Sequence, residues 1–273
     1  MKFSYLRLGA VLQKELREYR RSPFIVGTMA VLPLVFLVEP IIIIFRLGAS
    51  VSPAVVDRSV SATFLLLLIS PVLIPAVLSA YSVVGEREQG TLEPLLTTPV
   101  RREELLLGKA LGVVVPTIAI AYVVFAIVEL SAHLFASNPE VAVALSQGPH
   151  VLAELLFAPL LAGWSIWVGI GISTRASEVR VAQQLGTLAS LPPLAVVALV
   201  SFNVFTPSFG TSLAFALGLL VADIVMWRIV AAMFDRERLI VGASAQREPS
   251  GGGGNRPTGV VRRIPRAGGS DHA

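Results

Sequence analysis

Six long apolar runs, each near the roughly 20 residues that a helix needs to cross the hydrocarbon of a bilayer, dictate most of what this chain can become. They are Phe24–Phe45, Ala62–Val84, Ala110–Val128, Val151–Ile172, Gln183–Phe205 and Thr211–Met233. A backbone in hydrocarbon has to satisfy its own N–H and C=O groups, which leaves only helices and closed barrels. The apolar residues come in blocks and do not alternate, which excludes the barrel. Composition agrees: the 273 residues are 54% hydrophobic and 15% charged, where a soluble domain carries about 25% charge. The expected fold is an all-α membrane protein with six transmembrane helices over residues 23–234, the fifth kinked or split by Pro192-Pro193. The chain has no cysteine, which excludes a disulfide framework, thiolate chemistry and zinc–thiolate sites.

Residues 1–22 read as an amphipathic interfacial helix. Tyr5, Leu8, Leu12, Leu16 and Tyr19 recur at helical spacing, with Lys14, Arg17, Arg20 and Arg21 on the opposite side, toward anionic headgroups. The same stripe also suits a helix packed on a soluble partner. Ser22-Pro23 ends this helix and opens the first span. The apolar run that follows is too long and starts too late for a secretory signal, and lacks an A-x-A site. Lys and Arg crowd the N-terminal segment, the segment between spans two and three, the segment between spans four and five, and the C-terminal tail. Glu129–His150 and Thr206–Gly210 hold neither. Both termini are therefore expected in the cytoplasm of a cell-membrane protein. That asymmetry accounts for the net charge of +4; no soluble basic domain is present to bind nucleic acid. Residues 243–273, with Gly251–Gly254 and scattered Arg, hold nothing to bury and read as a disordered cytoplasmic tail.

Between spans two and three lies the polar segment Gly85–Lys109, GEREQGTLEPLLTTPVRREELLLGK. Span two is expected to continue as helix through Glu86, Arg87 and Glu88. Gly90 then stops it in a left-handed conformation, and Thr91 caps a new short helix. Leu92, Leu95 and Leu96 share one face of that helix, and Pro94 is tolerated in its first turn. Pro99 ends the unit, and Arg101–Lys109 begins the helix that re-enters the membrane. A partner gripping the leucine face would pull on two spans at once.

At G-E-R-E-x-G-T-L-E-P-L-L-x-T-P (Gly85–Pro99) and E-L-L-L-G-K (Glu104–Lys109) the chain resembles the ABC-2 type permeases of ATP-binding cassette transporters. The resemblance covers roughly Lys2–Phe234 and is strongest at Gly85–Lys109. It implies a dimer of permeases, identical or related, bound to two ATPase subunits that dock on the cytoplasmic coupling helix between helices two and three. Glu86, Glu88, Gly90, Glu93 and Pro99 match the family pattern, and the resemblance implies that the carboxylates pair with Arg or Lys on the ATPase or on the N-terminal helix. It also implies export. The chain holds no phosphate-binding loop, since Gly108-Lys109 lacks the upstream glycine and the following Ser/Thr. No enzymatic activity and no cofactor are therefore expected in this chain, ATP and Mg²⁺ belonging to the partner ATPase. An alternative is a membrane sensor or assembly scaffold with this fold and no transport. An ion-coupled transporter acting alone is disfavoured, because no inverted repeat is visible.

Acidic residues in or near the spans are Glu39, Glu129, Glu154 and Asp223. A charge at the bilayer centre costs about 2.5–3.5 kcal/mol on insertion scales, so each is expected to be paired or to face a cavity. Glu39 and Asp223, the deepest, are candidates for a translocation path; the alternative is a structural pair such as Asp223 with Arg228. His133 and His150 read as plain residues of an external loop, and no metal site is expected.

Overall fold

A computed structural model describes residues 3–48, 51–91, 100–202 and 209–233. Among them the helices are α1 (Tyr5–Arg21), α2 (Pro23–Arg46), α3 (Pro53–Ser79), α4 (Val84–Glu88), α5 (Arg102–Phe135), α6 (Pro139–Leu145), α7 (Gly148–Ser173), α8 (Val179–Ser201) and α9 (Phe209–Met233), with a 3-10 turn at Ala80–Ser82. The described residues contain no strand, and six of the helical stretches are long and apolar enough to cross a membrane: α2, the run from α3 to α4, α5, α7, α8 and α9. The chain is an all-α, multi-pass membrane protein.

Ser22 marks the first boundary. Its N–H closes α1 on the carbonyls of Glu18 and Tyr19, and its hydroxyl accepts from the Ile25 N–H at 3.4 Å to cap α2. Pro23 follows at the first helical position, where a missing N–H costs nothing. α3 is the central post: 61% of its apolar window is buried inside the protein, against 17% for α2, which lies at the rim. α3 packs on α2, α5, α7 and α8, and α9 leans on α7. The exposed apolar side chains of α2 and α9, Val31, Leu34, Val38, Leu217, Val221 and Ile224 among them, form the surface that a bilayer covers.

Several expectations change in detail. Span two does not continue as one helix through Glu88; the 3-10 turn at Ala80–Ser82 and Val83, at φ −124° and ψ −53°, interrupt it before α4. As expected, the residues after Arg101 begin the helix of the third span, a single 34-residue helix, α5. At about 1.5 Å per residue it is roughly 51 Å long, well beyond a hydrocarbon core of about 30 Å, and its charged residues, Arg102, Glu103, Glu104 and Lys109, lie in its first turns. The fifth helix spans Val179–Ser201 and runs unbroken through Pro192-Pro193.

The reason lies in where the freed carbonyls go. A proline within a helix cannot donate to the carbonyl four residues earlier. Pro193 frees the Ala189 carbonyl, and the Trp164 indole N–H of α7 donates to it at 3.1 Å. Pro159 frees Leu155, and the Tyr122 hydroxyl of α5 donates there at 2.8 Å. Pro71 frees Leu67, and the Ser70 hydroxyl donates to it at 3.2 Å. Side-chain donors thus replace backbone donors that lipid cannot supply. Tyr122→Phe and Trp164→Phe keep a ring and remove the donor. Each is expected to cost about 0.6 kcal/mol, at most about 1.7, read as a lower midpoint of thermal unfolding in detergent; an unchanged midpoint for both would refute this account.

Candidate functional site

Glu86, on α4, is 8% exposed. Its Oε1 accepts from Lys109 Nζ of α5 at 2.6 Å and from Lys14 Nζ of α1 at 3.0 Å. Both ammonium groups also reach Glu15 Oε1, at 3.1 and 3.2 Å, and Lys14 pairs with Glu18 Oε2 at 2.9 Å. Two lysines are therefore held among three carboxylates where α1, α4 and α5 meet. Lys109 is only 1% exposed; an ammonium so placed survives only when charged partners replace its water. Burial pushes the Glu15 carboxyl up, and the adjacent Lys109 and Lys14 outweigh that, so the net shift is downward. Burial likewise works against the Lys14 charge, but Glu15 and Glu86 hold it protonated well above its ordinary range. Burial, and then the nearby Glu15 carboxylate, push the Tyr19 hydroxyl well above its ordinary range.

Small residues bring α1 this close. A Cβ at Gly108 would lie 2.7 Å from Val11 Cβ, and one at Gly112 would lie 2.9 Å from Glu15 Cβ. The Gly108-x-x-x-Gly112 pair is thus the groove in which α1 lies. A second clamp sits one helix turn away. Glu104, fully buried, accepts from Arg7 Nε at 2.8 Å and Nη2 at 2.7 Å, and from the backbone N–H of Ser4 at 2.7 Å and Arg101 at 3.0 Å. The bidentate guanidinium fixes α1 in orientation as well as in place, and the bond to Arg101 caps α5.

The remaining charges of α4 reach other helices. Arg87 donates to the carbonyls of Ala176 and Thr174, after α7, at 3.3 and 3.4 Å. Glu88 Oε1 accepts from the Val179 N–H at the start of α8, at 3.1 Å. Ser173 of α7 accepts from the N–H groups of Val83 and Val84 at 3.2 and 3.1 Å and donates to the Ala80 carbonyl at 2.8 Å. Gly90 has φ 70°, the left-handed conformation expected of it. The Gly90 N–H bonds the Arg87 carbonyl and the Thr91 N–H bonds the Glu86 carbonyl, which is a Schellman closure of α4. Thr91 also gives its hydroxyl to that Glu86 carbonyl at 3.3 Å.

Glu86, Glu88, Gly90 and Thr91 therefore gather around α4, while Leu92, Glu93, Leu95, Leu96 and Pro99 lie outside the described residues, as does the tail at 243–273. On α1, Arg17, Arg20 and Arg21 are exposed, but Lys14 turns into the cluster. The buried positions of α1 are Val11 and Glu15, beside the expected apolar stripe and not on it; Tyr5 on that stripe is 82% exposed. Glu39 is half-buried on α2 and Asp223 is buried against Gly163 of α7. The structure brings neither to the cluster, and Asp223 makes no ion pair with Arg228 among the described residues. Glu129 accepts from the Ser146 hydroxyl at 2.9 Å, and Glu154 is fully buried in α7. His133 and His150 are not loop residues: they sit on α5 and α7, bonded to Ser146 Oγ and to the Ala144 carbonyl. Glu15 and Arg7 were not expected as site residues, and Glu104 and Lys109 were noted only within the E-L-L-L-G-K motif. The Gly108-x-x-x-Gly112 spacing is the signal that could have found them, since it lets a second helix approach α5 closely.

No curated protein matches the chain. The sequence profile of the ABC-2 family transporter protein matches residues 9–191, more than half of the 273. The matched stretch contains α4, α5, all of α1 after its first turn, and every ion pair that joins Lys14 and Lys109 to Glu15, Glu18 and Glu86. This helical bundle is the membrane component of an ATP-binding cassette transporter, and the chain belongs to the ABC-2 family of transporter proteins.

Proposed function

We propose that this permease subunit serves an exporter and takes its motion from separate ATPase subunits that dock on Gly85–Lys109. On this reading two ATPase subunits, which bind ATP and Mg²⁺, act on a pair of permeases, identical or related. The docking segment and both termini lie on the cytoplasmic face of the cell membrane. The chain itself is not an enzyme. The excess of Lys and Arg at this end of the bundle favours the orientation.

The observation that carries the proposal is the ion-pair cluster at Glu86. The segment enters through α4 and leaves through α5. Glu86 binds Lys109 of α5 and Lys14 of α1, so force on the segment moves α1, α4 and α5 together. Arg87 and Glu88 pass the same force to the junction between α7 and α8. Because α5 is continuous, a tilt at its first turn is a displacement at its far end. Glu39 and Asp223 are the intramembrane carboxyls proposed to face the path that opens. Replacing Leu92, Leu95 and Leu96 together with Asp is expected to abolish co-purification of the ATPase and ATP-dependent transport in vesicles, while the permease still inserts and purifies. An intact, active complex would refute docking through that face.

A further inference from the structure

At the end of the bundle remote from the cluster, α3, α7, α8 and α9 border a cavity of about 490 Å³ that opens on the apolar surface beside Leu152, Phe209 and Leu213, within the range of about 300–1,000 Å³ that holds one small organic molecule. The rings of Phe64, Phe157 and Phe215 line it, and among the described residues no Asp, Glu, Lys or Arg does. A charged ligand would lose its water there and gain no counter-ion. The polar groups are few: the hydroxyls of Ser61, Ser201 and Ser212, and His150. The His150 ring stacks on Phe64 at 4.8 Å, and its Nδ1 lies 2.9 Å from the Ala144 carbonyl, which requires Nδ1 to be the donor. In the neutral ring that bond fixes the tautomer and leaves Nε2 as an acceptor, without a partner among the described residues.

We propose that this cavity is a binding site for a neutral amphiphile with an aromatic or branched apolar body and one hydroxyl donor, which bonds His150 Nε2. A phospholipid fits less well: its charged headgroup has no partner here, and an acyl chain entering alone leaves His150 Nε2 without a donor. The site stands apart from the coupling proposal and is tested without an ATPase, so failure of either leaves the other untouched.

The probe is a trifluoromethyl-diazirinyl benzyl alcohol: neutral, aromatic and hydroxylated. The full chain in zwitterionic nanodiscs is photolabelled and adducts are mapped by peptide mass. Adducts are expected to concentrate on the cavity residues of α3, α7 and α9 and to fall several-fold with excess benzyl alcohol. Leu156→Trp, which fills the cavity, is expected to remove them. His150→Phe, which keeps the stacked ring and removes the acceptor, is expected to lower them roughly threefold to tenfold, the worth of one hydrogen bond. Adducts on the exposed face of α2 are the internal standard for a folded protein and stay constant. Labelling spread evenly over lipid-facing residues, uncompeted by benzyl alcohol or unchanged in both variants, overturns the proposal.

Discussion

Lys109→Met is expected to destabilise the bundle by about 3–5 kcal/mol, the usual cost of removing one partner from a buried ion pair. The side chain is 1% exposed and binds Glu86 and Glu15. Methionine fills a similar volume, so packing is nearly conserved and charge is not. Three carboxylates would then share Lys14 alone, and their mutual repulsion is poorly screened at a buried site. The effect would be read as an early thermal transition in detergent and as proteolytic release of α1. Adding Glu15→Gln to Lys109→Met should recover a substantial part, since it removes the carboxylate left facing the vacated position. A single variant as stable as the parent would mean that the cluster holds nothing together. Arg87→Ala serves as a comparison with a smaller expected loss, because its two bonds, at 3.3 and 3.4 Å, are long.

Gly108→Leu should lift α1 off α5 altogether. Even the first carbon of a side chain there meets Val11 Cβ at 2.7 Å, and both helices offer backbone-anchored atoms that have no room to withdraw. The chain lacks cysteine, so Val11→Cys provides a single reporter thiol at a position that is 7% exposed in the native structure. Its reaction with a water-soluble maleimide is expected to rise about tenfold or more when Gly108→Leu is added, corresponding to a loss of roughly 1.4 kcal/mol or more in the closing equilibrium of α1. Gly112→Leu should act in the same direction through Glu15. Reactivity that stays at the parent level would show that α1 is held by something other than the glycine groove. If the coupling proposal is correct, both variants also lose ATP-dependent transport while the ATPase still binds, since force reaches α4 but no longer moves α1.

The expectations that succeeded rest on short stretches of chain. The six apolar runs foretold six membrane-length helices, because the choice between lipid and water depends on about twenty neighbouring side chains and little else. The left-handed Gly90 was legible for a similar reason: only glycine adopts that backbone without a Cβ penalty. Errors arose where local rules met distant partners. Pro192-Pro193 reads as a kink or a split, yet α8 is not split, and Trp164 supplies the donor that Pro193 withholds from Ala189. The basic face of α1 reads as headgroup-binding, yet Lys14 turns inward because Glu86 lies there.

The sequence by itself thus decided the fold class, the number of membrane-length helices, the polar segment between two of them and the family resemblance that the profile match supports. Only the tertiary structure decided which charges meet. Glu86 and Lys14 are 72 residues apart, Glu15 and Lys109 are 94 apart, and Arg7 and Glu104 are 97 apart. No periodicity links such pairs, since a Coulomb interaction strong enough to keep a lysine buried depends on separation in space and on the exclusion of water. Both are set by the helices that pack around Gly108 and Gly112, and neither is written in the order of the residues.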